Sequence, residues 1–346
     1  MEYPQSGLWR IGAALAVFGA ALGAAGIAQS AADFYSGRTV NLYIGYSPGG
    51  AYDLYARVLA RPLASHIPGN PTLLPQNMEG AGSLRLANWL YRVAPQDGTA
   101  IATFGRGLAF DPLLIGTGDA FDAQKFNWIG SANNEVSVCV AMRSSGITKF
   151  TDLFTKPLTV GGTGASADTD QFPRVLNSVL GTHFKVVAGY PGGNDVAMAM
   201  ERGEVQGRCG WSWSSVLATH RSWIEDHRLV VLVQLSLTRH PDLPDVPLVM
   251  DFAKTDKQRQ ILKLVFARQV MGRPYVAPPN VPADRVAMLR KAFMDTMTDK
   301  EFLAEADKAK LEINPVSGED VEKLVKEVYA TPADVIAEAK AAAASN

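Results

Sequence analysis

Val40-Asn41-Leu42-Tyr43-Ile44-Gly45-Tyr46 runs straight into Ser47-Pro48-Gly49-Gly50. The first part has the β-branched and aromatic character of a strand. A helical pattern opens at once behind the glycines, with Leu54, Tyr55, Val58 and Leu59 on one face. Strand, tight glycine turn and helix start together make an anion site. The first NH groups of a helix lack partners inside it, and the dipole places partial positive charge there. Gly49 and Gly50 let a ligand approach bare backbone. The turn is not a Walker loop, because no Gly-Lys-Ser/Thr follows, and no third glycine completes a dinucleotide fingerprint. A carboxylate therefore fits better than a nucleotide. The same stretch also fits an ordinary βα turn.

The device recurs along the chain. Residues 71–77 form a second expected strand, which leads into Glu79-Gly80-Ala81-Gly82-Ser83 and a helix over residues 84–91. A third strand, residues 99–104, ends in Gly105-Arg106-Gly107. Residues 126–142 read as an extended crossover into a second lobe. There Leu158-Thr159-Val160 meets Gly161-Gly162-Thr163-Gly164-Ala165-Ser166, and residues 184–188 meet Gly189-Tyr190-Pro191-Gly192-Gly193-Asn194. A strand from Val205 leads into Gly210-Trp211-Ser212-Trp213, and residues 229–235 return the chain. Asn280-Val281-Pro282 reads as a helix cap, and the tail from about Lys254 is helical. Repeated βα units argue for mostly parallel sheets, with ligands beyond the carboxyl ends of the strands. Glycine loops on both sides of a crossover argue for a cleft between lobes that close by a hinge.

The N-terminal residues address the compartment. Arg10 precedes an apolar run over residues 11–27, followed by small residues, which is the layout of a secretory signal cleaved between Ala28 and Ala32. A retained anchor is the other reading, but the run is short and Ala/Gly-rich. Net charge is -1, with no basic excess for nucleic acid. Cys139 and Cys209, the two cysteines, either pair in an oxidising compartment or stay free and buried. The five histidines show no metal-ligand spacing, and no Gly-x-Ser-x-Gly elbow is present. No cofactor, no metal and no catalytic residue is expected.

The ordered set Tyr46-Ser47-Pro48-Gly49-Gly50-Ala51-Tyr52-Asp53, residues 77–82, residues 95–99, Gly189-Tyr190-Pro191-Gly192-Gly193 and residues 240–247 resembles the substrate-binding receptors of tripartite tricarboxylate transporters, the Bug-type periplasmic receptors. The resemblance covers nearly all of the chain after the signal. It implies a type II periplasmic-binding-protein-like α/β fold of two lobes around an organic carboxylate, with membrane permease subunits as partners. The lobes would be residues 33–134 plus 236–346, and residues 135–235, behind a signal at residues 1–32. In the family, the loops matching residues 47–53 and 80–83 hold one carboxylate, largely through backbone NH groups and water, and those matching residues 162–166 and 190–194 close from the other lobe. A monomer is expected.

The chain departs from the family pattern at Met78-Glu79, at Arg106 and at Gly207-Arg208-Cys209-Gly210-Trp211-Ser212-Trp213. These add cation and aromatic surface, which suits an aromatic or longer carboxylate. Arg106 is either a bidentate carboxylate clamp or a surface residue. Arg208 either meets the ligand or pairs with an internal acid. Trp211 and Trp213 share one face of a short extended segment, because side chains alternate along a strand. They would stack on a ligand or pack in the core. Tyr46 and Tyr190 stand alike before Pro-Gly-Gly turns, and Ser47, Thr163 and Ser166 offer hydroxyl donors. Asp53 sits in a helical first turn, mainly as a cap. Pro62 interrupts the first helix, where an interior proline costs roughly 3 kcal/mol unless the helix bends or ends there. An exported enzyme, or a receptor docking to a signalling protein, is the alternative use of this scaffold.

Overall fold

Residues 34–116 and 121–344 are described by a computed structural model. The expected signal, residues 1–32, lies outside the described residues. In chain order the elements are β1 (Thr39–Ile44), α1 (Ala51–His66), β2 (Thr72–Asn77), α2 (Leu84–Arg92), β3 (Ala100–Thr103), α3 (Asp111–Leu114), β4 (Asn127–Ser131) and β5 (Ser137–Met142). Then come β6 (Leu158–Gly161), α4 (Asp168–Leu180), β7 (Phe184–Val187), α5 (Gly193–Glu201), β8 (Gly207–Ser212), α6 (Trp213–Glu225) and β9 (Leu229–Leu235). The chain ends with α7 (Asp256–Phe266), β10 (Pro274–Ala277), α8 (Ala283–Met297), α9 (Lys300–Lys308), β11 (Val316–Ser317), α10 (Gly318–Tyr329) and α11 (Ala333–Ala344).

Two sheets result, ordered β11-β4-β10-β3-β1-β2 and β7-β6-β8-β5-β9. The two-lobe α/β architecture is as expected, but the sheets are mixed. Parallel ladders are confined to β2-β1-β3 and β7-β6-β8. Strands β4, β5, β9 and β10, which lead out of or back into each sheet, pair antiparallel. Parallel neighbours need a long crossover, which α1 and α2 supply in the first sheet and α4 and α5 in the second.

Strand β1 alternates buried and less buried positions, with Val40, Leu42 and Ile44 fully inside. Helix α1 lays Tyr55, Leu59 and Leu63 into the same core. It contains Pro62 and still continues to His66, so the expected break does not occur. Burial of this apolar face offsets the lost backbone hydrogen bond. Asn280 does not cap α8: the cap position is Pro282 without a side-chain bond, and the Asn280 amide reaches Gln96. Cys139 and Cys209 face one another on β5 and β8 and are joined as a disulfide, so of the two readings the pair is the one formed. The last helix, α11, packs on α4, α7 and α3, so the C-terminal segment ties helices of both halves together.

Candidate functional site

The parallel strands β1, β3 and β6 end on one cleft between the two sheets. Its enclosed volume is about 60 Å³. Three helices start at this cleft or on its rim: α1 behind Gly50, α4 behind Ala167 and α5 behind Gly192. None of the three has a side-chain cap bond. Their first NH groups and dipoles therefore face a common space with partial positive charge.

Arginine side chains add full charges. Arg106 is 3 % exposed and directs Nε at Asp168 Oδ2 at 2.6 Å. Its Nη2 donates to Ser137 Oγ at 2.7 Å and Ser212 Oγ at 3.2 Å, while Nη1 is buried without a partner. Burial would weaken the guanidinium's hold on its proton, but the Asp168 carboxylate outweighs this and raises it above the usual arginine range. The other oxygen of Asp168 accepts from Arg268 Nη1 at 3.2 Å. Behind the cleft, Arg273 meets Glu135 at 3.4 Å, donates to Ser215 Oγ at 2.7 Å, and stacks between Tyr52 and Tyr55. Glu135 also accepts a short bond from Ser214.

Arg208 lines the cleft and makes no ion pair among the described residues. Its Cζ lies 4.7 Å from the centre of the Trp211 ring, Nη1 donates to Gly193 O at 3.1 Å, and Nε is buried without a partner. Burial, with repulsion from Arg273 and Arg106, pushes Arg208 down to about 9. Arginine does not give up its proton at neutral pH, so the environment instead calls for an anion. Arg106, Arg208, Arg268 and Arg273 face only two paired carboxylates, Asp168 and Glu135. A third acid, Asp111, is pushed up to about 7 by burial despite Arg268 nearby. The cleft thus carries a surplus of positive charge.

Of the residues singled out in the sequence, Tyr46, Gly49, Gly50, Arg106, Thr163, Ser166, Gly193, Asn194, Arg208 and Trp211 line this space. Others surround it. Asp53 turns back to accept from Gly49 N at 3.0 Å, Arg57 Nε at 2.9 Å and Asn77 Nδ2 at 2.9 Å, which shapes the first turn. Burial opposes its charge, but these bonds outweigh that and hold the carboxyl below its usual range. Ser83 donates to Gly45 O and accepts from Gly105 N, joining the ends of β1 and β3. Ser47 donates across the mouth to Asp195 Oδ2 at 2.8 Å, where Gly192 leaves it room.

Ala81 and Gly82 abut Gly164 from the other half, and a Cβ on Gly164 would stand 2.7 Å from Gly82 N. Its φ of +129° equally demands glycine. Gly80, Pro48 and Ala165 belong to these loops without lining the space; the Ala165 carbonyl accepts from Gln171. Tyr190 is half-buried against the core cluster that holds Val196 and does not line the space, so it does not mirror Tyr46. Trp213 is not on the strand face of Trp211: β8 ends at Ser212, and Trp213 opens α6 inside the core.

The structure adds Tyr52, Asp168, Ser212, Ser215, Thr219 and His220 to the lining. Among the described residues no group of three or more His, Cys, Asp or Glu side chains is placed to hold a metal ion. No described helix is long and apolar enough to cross a membrane.

No protein-family model matches the chain. It is 42 % identical over 91 residues to a UPF0065 protein in the gbd 5′ region of Cupriavidus necator, covering 26 % of this chain and 27 % of the relative. It is also 42 % identical over 71 residues to Protein BugT of Bordetella pertussis, covering 20 % and 21 %. A UPF0065 protein from the tcbD-tcbE intergenic region of a Pseudomonas species is 26 % identical over 226 residues, covering 64 % and 65 %. The chain thus spans about a quarter of the first two relatives and just under two thirds of the third. Among solved structures, the periplasmic binding protein BugD superposes with a TM-score of 0.71 at 20 % identity, over 88 % of this chain and 98 % of BugD. MatC of Rhodopseudomonas palustris with bound malate gives 0.69 at 18 % identity, over 86 % and 99 %. An R. palustris protein solved with adipate gives 0.68 at 17 % identity, over 87 % and 97 %. At these identities the shared property is the fold.

Proposed function

The chain is a relative of the Bug-type receptors in sequence and has their two-lobe fold, and from this we propose that it is a periplasmic solute receptor that captures an organic carboxylate for a membrane permease. The observation that carries the reading is Arg208. Its guanidinium lines the cleft, has a buried unpaired Nε, and meets no carboxylate among the described residues. A largely buried charge without an ion-pair partner is costly, and an anionic ligand is what would complete it. Neighbours of the same fold bound to malate and to adipate support a small acid as the ligand class.

In this reading the bare NH groups at the starts of α1 and α4 hold one carboxylate beside Arg106. Arg208, resting on Trp211, meets the far end of the molecule. Closure brings Ser47 to Asp195 and Ala81-Gly82 to Gly164, as in the conformation described here. The lobes would be residues 33–134 with 236–346, and residues 135–235, and the closed form would be what the permease subunits recognise. The chain would be exported by its N-terminal signal, act as a monomer and release the acid unchanged.

The test is calorimetric titration with mono-, di-, tri- and aromatic carboxylates, with product analysis of the same mixtures. Saturable one-to-one binding without product supports the proposal. Conversion of the acid would replace it with an exported enzyme, and silence across the panel would remove the carboxylate.

A further inference from the structure

Helix α6 leaves helical geometry at His220, where φ is −142° and ψ is 31°. Such a break has a local cause or a use. Here it accompanies a ring that lines the cleft and stands edge-on to Trp211 at 5.1 Å and to Trp223 at 4.5 Å. The hydrogen bonds around the ring determine which nitrogen carries the proton. Thr219 Oγ1 lies 2.7 Å from Ser215 O, and a carbonyl can only accept, so the single hydroxyl proton of Thr219 points there. Thr219 Oγ1 also lies 2.7 Å from His220 Nδ1. With its proton committed, Thr219 must accept in that contact, and Nδ1 must be the N–H.

The ring is also neutral. Burial first, then the charge of Arg208 on β8 and of Arg228 beyond α6, push it down to about 4, against the opposing pull of Glu201 on α5. A neutral imidazole protonated at Nδ1 leaves Nε2 as a bare acceptor. Guanidinium groups, hydroxyls and helix-start NH groups supply the cleft with donors. The oxygens of Asp168 are each taken by an arginine. His220 therefore supplies an acceptor that a simple carboxylate cannot use, since it has no donor to offer.

We infer that His220 Nε2 accepts a hydrogen bond from a hydroxyl group carried by the bound acid, which makes the ligand class a hydroxycarboxylate. The inference rests on the carboxylate reading above and adds one specificity-determining residue to it.

The experiment compares acids that differ only by that hydroxyl: lactate with propionate, malate with succinate, citrate with tricarballylate, mandelate with phenylacetate. In whichever pair binds, the hydroxy acid should bind about tenfold more tightly, the value of one neutral hydrogen bond whose acceptor otherwise goes unmet. His220→Phe should reduce that ratio to within about twofold, because the acceptor for the hydroxyl is lost. His220→Gln, which keeps an acceptor, should retain a preference and covers the case in which the Phe variant fails to fold. Nitrogen-15 NMR at pH 7 should find His220 protonated at Nδ1 alone. Equal binding within a pair, a preference that survives His220→Phe, or a proton on Nε2 would overturn the inference alone. Absence of binding by every acid would overturn the carboxylate reading and this inference with it.

Discussion

Replacing Arg208 with methionine should separate function from stability in opposite directions. With its pKa pushed from the usual arginine range down to about 9, the charged form of Arg208 is disfavoured by at most roughly 5 kcal/mol. Part of the side chain reaches water, which screens some of that cost. Against it stand the bond to Gly193 O at 3.1 Å, worth about 1–2 kcal/mol, and the contact with the Trp211 face, worth about 1 kcal/mol. Arg208→Met keeps the apolar stem against Trp211 and removes the charge. The ligand-free protein should therefore gain about 1–2 kcal/mol, read as a rise of roughly 2–4 °C in Tm for a chain of this size. Ligand affinity should fall at least about thirtyfold, because truncating one member of a buried charge pair costs about 2–5 kcal/mol. Urea denaturation without ligand and calorimetry with it give the two numbers. A variant that is less stable yet binds as tightly as wild type would make Arg208 a structural residue and remove it from the ligand site.

Three further outcomes follow from the same geometry. Asp168→Asn leaves Arg106 and Arg268 without their shared carboxylate, so urea denaturation should show a loss of about 3–5 kcal/mol, partly restored by saturating anionic ligand. Asp111 has a folded-state pKa raised to about 7 from 3.8, so its contribution is present below pH 4 and is lost as pH rises towards 7. The stability difference between Asp111→Asn and wild type should accordingly grow in favour of the variant from pH 5 to pH 8, measured by thermal melts in matched buffers. Ser47→Ala removes the bond to Asp195 across the mouth, so stopped-flow release should be roughly fivefold faster, for about 1 kcal/mol, at unchanged fold stability.

What could be read in the sequence was local. The turns at Ser47-Pro48-Gly49-Gly50 and at residues 162–166 announced themselves because glycine, a preceding strand and a following helix stand within a dozen residues. The two-lobe arrangement followed from their repetition on either side of residues 126–142. The charge arrangement was not local. Asp168 meets Arg106, 62 positions away, and Arg268, 100 positions away, and Arg273, just before β10, meets Glu135; nothing around any of these residues marks the partner. Trp213 was misplaced by extending strand alternation one residue too far, beyond the point where β8 yields to α6. Tyr190 followed Tyr46 in motif but not in position, because its ring has Val196 to cover. His220 carried no motif at all. Its role depends on the kink and on the hydroxyl of Thr219.

Everything proposed for the chain depends on the cleft between the sheets being an organic-anion site. Thermal unfolding of the purified chain with a carboxylate panel tests it most directly. An acid present at a hundred times its Kd should stabilise the fold by roughly 2.7 kcal/mol, a rise of about 5 °C, and Arg208→Met, binding at least about thirtyfold more weakly, should cut that rise to about a third or less at the same concentration. A panel that leaves the Tm unmoved, or a shift that Arg208→Met leaves intact, would contradict the account.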